Sequence, residues 1–178
     1  MRKLVGSTFV TLDGVISNPQ DWNPPYWDDE FQAYADGVLG AADAVLLGRK
    51  TYESFAVAWP PRAGDAFADR LNRMPKYVAS TTLSETSWNA SLIEGDVAES
   101  VADLKQQPGQ NIVKFGTGEL DRTLLDHGLI DQFYFWRMPA IVGSGERLLD
   151  GIETRHLKLL DTTIFDSGVI VNVYNPKS

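Results

Sequence analysis

Two short stretches combine glycine, cations and hydroxyls in a way that could hold an anion: Gly48-Arg49-Lys50-Thr51 and Gly116-Thr117-Gly118-Glu119-Leu120. Each follows an apolar run and precedes a segment with helical character. A helix N-terminus carries unpaired N–H groups and a partial positive charge, which suits phosphate. Glycine lets the ligand approach the backbone, Arg49 can grip an oxyanion with two parallel hydrogen bonds, and Thr51 can add its hydroxyl. Lys50 belongs to the same turn but is expected to face solvent. Taken alone, the tetrapeptide is equally a turn with two solvated cations.

Triphosphate cleavage is a poor fit. A P-loop needs a glycine five residues before the second one and a lysine directly after it. Here Asp43 and Arg49 occupy those positions. The second stretch has Gly-x-Gly but not the third glycine of a dinucleotide fingerprint, because Asp121 stands there. Two such turns in one small α/β domain say more than either alone. At the carboxyl ends of parallel strands they could grip a dinucleotide diphosphate from opposite sides.

Other positions bear chemistry less specifically. Ser80 and Thr81 follow a strand, where they could cap a turn or bond a ribose 2′-phosphate. Asp13 and Gly14 end the first strand. Trp22, Tyr26 and Trp27 could stack on a flat heterocycle or plug the core. Asp28, Asp29 and Glu30 could bind a ring nitrogen, or simply suit the N-terminal dipole of a helix. Gly143 and Gly145 lie either beneath a cofactor or in a plain turn. His127 and His156 read as structural or surface residues.

Composition bounds these readings. The chain has 178 residues, which favours one domain over residues 1–178. It is 43% hydrophobic and 22% charged, enough apolar material for a full core. The formal charge of −8 argues against nucleic acid as a general partner. Without cysteine there is no thiol catalysis or thiolate metal site, and two separated histidines do not suggest a metal cluster. No run approaches the ~20 apolar residues of a membrane helix, so a cytoplasmic protein is expected.

The periodicity predicts elements that would position these residues. Strands are expected at 3–11, 44–47, 76–80, 91–93, 112–115, 132–138, 156–166 and 168–174. Helices are expected at 28–41, 49–59, 65–74, 96–107 and 119–127. Residues 18–25 contain three prolines and read as irregular. Strands alternate with helices until a closing hairpin at Asp166-Ser167-Gly168. That pattern predicts a mostly parallel sheet covered on both faces.

With these pieces in order, the sequence resembles the dihydrofolate reductase-like superfamily. Within it, the chain is most similar to the riboflavin-pathway reductases, the C-terminal domain of the bifunctional deaminase-reductases, in stand-alone form. The matching stretches are STFVTLDG (7–14), LGRKTYE (47–53), VKFGTGEL (113–120) and LIDQFYFWRMPAIVGSGERLL (129–149). The resemblance implies a three-layer α/β/α fold with a mixed, mostly parallel sheet of about eight strands. It also implies an NADPH site. Gly48, Arg49, Lys50 and Thr51 would hold the diphosphate from one helix, and Gly116, Thr117, Gly118, Glu119 and Leu120 from another. Ser80 and Thr81 would lie near the adenosine phosphate. Asp13 would orient substrate or relay a proton, with Gly14, Trp22, Trp27, Asp28 and Tyr52 on the substrate side. The implied reaction is NADPH-dependent reduction of a small heterocycle, resembling 5-amino-6-(5-phosphoribosylamino)uracil. A pterin reductase and a non-catalytic NADPH-binding protein are the alternatives. Arg62 and Arg137 are loose candidates for a substrate phosphate, and a homodimer is expected.

Overall fold

The computed structural model describes residues 1–177. Its centre is an eight-stranded sheet comprising β1 (Leu4–Thr11), β2 (Ala42–Gly48), β3 (Lys76–Ala79), β4 (Ala90–Leu92), β5 (Asn111–Phe115), β6 (Gln132–Met138), β7 (Leu157–Ile164) and β8 (Ile170–Pro176). The spatial order is β4-β3-β2-β5-β1-β6-β8-β7, and only β8 runs antiparallel to its neighbours. This is the expected parallel sheet with a closing hairpin. The long runs in β1 and β2 are buried almost throughout, as central parallel strands require.

Six helices flank the sheet: α1 (Pro19–Trp22), α2 (Asp29–Gly40), α3 (Arg49–Ala58), α4 (Ala66–Arg73), α5 (Val97–Gln106) and α6 (Glu119–Asp126). Side chains of α2, α3 and α4 fill one core around Phe31, Leu71 and Trp136. Those of α5 and α6 fill a second core on the other face, around Val101, Leu124 and Phe133. Three helices begin where an aspartate stops being helical. Asp28, Asp65 and Asp96 accept hydrogen bonds from Phe31, Ala68 and Glu99 N–H at 2.9, 2.8 and 2.9 Å.

The stretch 18–25 corrects an expectation. It holds α1 and a 3-10 turn (Pro24–Tyr26), with a proline in the first turn of each. Proline lacks only an N–H that a helix start leaves unpaired anyway, so here it initiates rather than breaks.

Candidate functional site

The carboxyl ends of β1, β2, β3, β5 and β6 fall along one edge of the sheet, because these strands run parallel. Both glycine turns lie there, on neighbouring strands, with Leu46 beside Lys114 in register. The turns lead into α3 on one face and α6 on the other. The two helix starts thus meet the carboxyl edge from opposite faces of the sheet.

Gly116 is the tightest point of the two turns. Its φ is +73°, and a Cβ there would sit 2.8 Å from Thr51 Oγ1. The two turns therefore touch, Thr51 against Gly116. Gly48 and Gly118 are different. Both have extended backbones that any residue can adopt, and a Cβ on either would meet nothing within 4 Å. Open space in front of two helix starts is what a ligand diphosphate would use. In the second turn the buried Thr117 Oγ1 has no hydrogen-bond partner among the described residues.

A buried ion pair shapes the second turn. Lys114 Nζ donates to Gly116 O at 2.6 Å and to Asp121 Oδ2 at 2.7 Å, and the same oxygen accepts from Gly118 N–H at 2.7 Å. Lys114 and Asp121 are 2% and 0% exposed. The residue in place of the third glycine is thus the anchor of the loop. Neither residue figured among the sequence candidates. The available signal was a lysine inside the apolar run Ile112-Val113-Lys114-Phe115, seven residues before an aspartate.

Arg49 lies across the mouth between α3 and the β3 loop. Its Nε donates to Glu53 at 2.8 Å, and its guanidinium also reaches the Thr82 hydroxyl, a contact that sequence reasoning missed. Ser80 Oγ accepts from Thr82 and Leu83 N–H at 3.2 and 3.1 Å, so it caps its own turn. Thr81 is exposed beside it. Lys50 is exposed as expected, but it is paired with Glu146 at 2.5 Å, which raises its pKa; Glu119 adds a smaller push in the same direction. Leu120 packs its side chain into the second core, leaving only its backbone to face a ligand.

The substrate-side candidates divide. Asp13 Oδ1 accepts from Thr11 Oγ1 at 2.6 Å and Val142 N–H at 3.2 Å, and Oδ2 from Gly143 N–H at 2.7 Å. These bonds, the Thr11 hydroxyl first, hold its pKa down at about 2. A carboxylate so fixed is ionised near neutrality. It fastens the loop after β6 to the end of β1. Gly14 lies in that seam, and a Cβ there would come 3.8 Å from the Arg147 guanidinium. The backbones of Val15 and Ile16 pair with Arg147 and Glu146. Gly145 (φ +137°) presses so close to Ser17 that no side chain would fit.

Trp22 plugs the core. It is 8% exposed, belongs to the first core and donates from Nε1 to Ser17 O at 3.0 Å. Asp28 is consumed as the cap of α2. Tyr52 is buried, and its oxygen accepts from Ser87 N–H at 2.8 Å, so it braces the loop before β4 rather than facing a substrate. Trp27 is half-buried, its indole N–H donating to Gln32 Oε1 at 2.5 Å. Both histidines are exposed, and no cluster of metal-ligating side chains occurs among the described residues.

A mixed eight-stranded sheet with helices on both faces and glycine turns at its carboxyl edge defines the dihydrofolate reductase-like class. Dihydrofolate reductase of Schistosoma mansoni superposes with a TM-score of 0.62 at 18% identity, each chain 99% covered. A deaminase and 5-amino-6-(5-phosphoribosylamino)uracil reductase from Thermotoga maritima superposes with a TM-score of 0.70 at 16% identity, over 99% of this chain and 57% of that one. At the sequence level, the RibD C-terminal domain family matches residues 2–171. The uncharacterized protein YyaP of Bacillus subtilis is 30% identical over 98% of this chain and 95% of its own length. The chain belongs to the RibD C-terminal domain family, a reductase family of the riboflavin-pathway type. Among the described residues, no helix is long and apolar enough to cross a membrane.

Proposed function

We propose that the protein is an NADPH-dependent reductase of a small heterocycle related to the pyrimidine substrates of riboflavin-pathway reductases. The observation that carries this reading is the contact of the two glycine turns. Two open helix starts, on opposite faces of the sheet, converge beside an unpartnered buried hydroxyl. That arrangement suits a diphosphate. Gly48, Arg49 and Thr51 would hold it from α3, and Gly116, Thr117, Gly118 and Glu119 from α6. Bound there, the cofactor supplies the hydride; the protein orients it and keeps water away. Lys50, tied to Glu146, contributes little to the grip. Asp13 acts through the loop it fastens.

Isothermal titration with NADPH tests the reading, with Gly118→Asp as the control. A negative side chain in the open space before α6 should abolish binding. Wild-type protein that does not bind NADPH, or a Gly118→Asp variant that binds it as well, sinks the proposal. Hydride transfer to any pyrimidine, pterin or flavin acceptor separates an enzyme from a cofactor-binding protein. We also propose a homodimer. Strand β7 is a sheet edge exposing Leu159, Leu160 and Ile164 at 51%, 43% and 69%. Such an edge is a template for association. Sedimentation should show a dimer that Ile164→Asp dissociates.

A further inference from the structure

Lys114 and Asp121, beneath the second glycine turn, have side chains 3% and 0% exposed and meet at 2.7 Å. Stability does not explain a charged pair at this depth. Two apolar side chains of similar volume often serve a core as well as a buried ion pair, or better. The neighbours on this face, Leu4, Ile112, Leu124 and Phe133, are apolar side chains of that kind. What the pair does is set the charge and the peptide directions of the turn.

Asp121 stands in the first turn of α6, where a carboxylate satisfies the positive end of the helix from within. Its Oδ2 accepts from Gly118 N–H at 2.7 Å, a donor that a ligand oxyanion would otherwise use. Alone, Asp121 would repel an anion from this end of α6, and burial would leave that repulsion poorly screened. Lys114 cancels the charge from beneath. Glu119, also at the helix start, is exposed, so solvent screens it. The Lys114 ammonium also donates to Gly116 O at 2.6 Å, which draws that carbonyl towards the core. The peptide bond is trans, so its N–H points opposite to its C=O, and the Thr117 N–H is turned outward. Gly116, at φ +73°, gives this peptide the freedom to turn over. Turned over, it would present its carbonyl to an approaching phosphate.

We infer that Lys114 is a positioning residue for the anion held at this turn. Without touching the ligand, it cancels the charge of Asp121 and aims the Thr117 N–H at the diphosphate. The inference rests on reading this turn as the cofactor site. The affinity of the turn then depends on the sign of one buried charge as well as on its shape. The effect is confined to the diphosphate, which NADPH and NADH share.

Titration calorimetry at pH 6.5 with NADPH, NADH and inorganic pyrophosphate tests this on Asp121→Asn and Lys114→Met. In Asp121→Asn the amide oxygen can replace Oδ2 and keep the Gly118 bond. The amide nitrogen then replaces Oδ1, which is buried without a partner among the described residues. The shape of the turn stays and one negative charge goes. Asp121→Asn should therefore bind NADPH threefold or more tightly than wild type, even though the fold loses stability. A pair that only braced the turn could not give that sign. Lys114→Met should bind NADPH tenfold or more weakly, at a temperature where its circular dichroism matches that of wild type. In both variants the ratio of NADPH to NADH affinity should stay as in wild type. Unchanged or weaker NADPH binding by Asp121→Asn, folded Lys114→Met that binds as wild type does, or an altered NADPH-to-NADH ratio overturns the inference and leaves the cofactor reading standing. If Lys114→Met does not fold, Asp121→Asn decides alone. Wild-type protein that binds pyrophosphate but not NADPH, with the same tightening in Asp121→Asn, refutes the reductase reading and leaves Lys114 in its role. Wild-type protein that binds neither overturns both.

Discussion

Substituting alanine at Gly116 should cost far more stability than at Gly48, although both glycines sit in matching turns. At Gly116, alanine must adopt a left-handed φ of +73°, which costs roughly 1–2 kcal/mol. Its Cβ also meets Thr51 Oγ1 at 2.8 Å, and because that hydroxyl can rotate away, the added strain is at the low end of overpacking, about 1 kcal/mol. A loss of about 2–3 kcal/mol corresponds to a fall in Tm of roughly 4–12 °C for a chain of this size. At Gly48, φ is −78° and the space is open, so alanine is unstrained, but Gly48 is the N-cap of α3, where glycine is preferred over alanine. The entropy gained in the unfolded chain, about 0.4–1 kcal/mol, is offset by that lost cap preference, so stability should hardly move. The open space at Gly48 is also where a diphosphate would approach, so this variant should bind NADPH less well. Calorimetric melting and NADPH titration of both variants make the check. If Gly48→Ala keeps full NADPH affinity, the open space is not a ligand space. If Gly116→Ala melts like wild type, the two turns are not pressed together.

Other outcomes follow from the same geometry. Lys114→Met strands Asp121 as a buried charge and should cost about 3–5 kcal/mol in denaturant unfolding, much of it recovered in Lys114→Met/Asp121→Leu; a double variant as unstable as the single would contradict the pairing. The folded-state pKa of Asp13 is lowered to about 2 from 3.8, so its stabilisation is present above pH 3.8 and lost as pH falls towards 2. Asp13→Asn should therefore flatten the acid limb of stability, while leaving the activity profile between pH 5 and 9 without a new inflection. Burial lowers the pKa of Lys76 to about 8 from 10.5. The folded protein then sheds this proton first, and stability contributed by the site should rise as pH climbs from about 8 towards 10.5. Urea midpoints at pH 7 and 9.5 would show this, with a smaller difference in Lys76→Met.

The parallel sheet was legible because its strands are short apolar runs separated by helical periodicity, and that pattern admits few topologies. The two glycine turns were legible for the same reason: each interrupts a strand-to-helix junction. Depth was not legible. Trp22 and Trp27 are five residues apart and chemically identical, yet one lies in the core and the other lines a cleft. Nothing local separates them, because burial is set by the tertiary packing around each ring. Asp28 illustrates a second limit. A carboxylate before a helix serves a cap and a ligand equally well, and only the 2.9 Å bond from Phe31 N–H decides. Asp121 shows a third: it read as a failed glycine, because its partner Lys114 belongs to a different element.

The pairing of Lys50 with Glu146 has a kinetic consequence. Lys50 stands at the end of β2 and Glu146 against the end of β1, so the pair spans the end of β5, the strand between them. Its side chains are 83% and 57% exposed, so salt screens it readily. Such a pair would act as a weak latch beside the turn at Gly116. A polyanion approaching an acidic protein is ordinarily slowed by low ionic strength through repulsion alone; with a latch, low salt would also keep it shut. Entry should thus quicken with added salt more steeply than net charge explains, and Lys50→Gln should remove the excess.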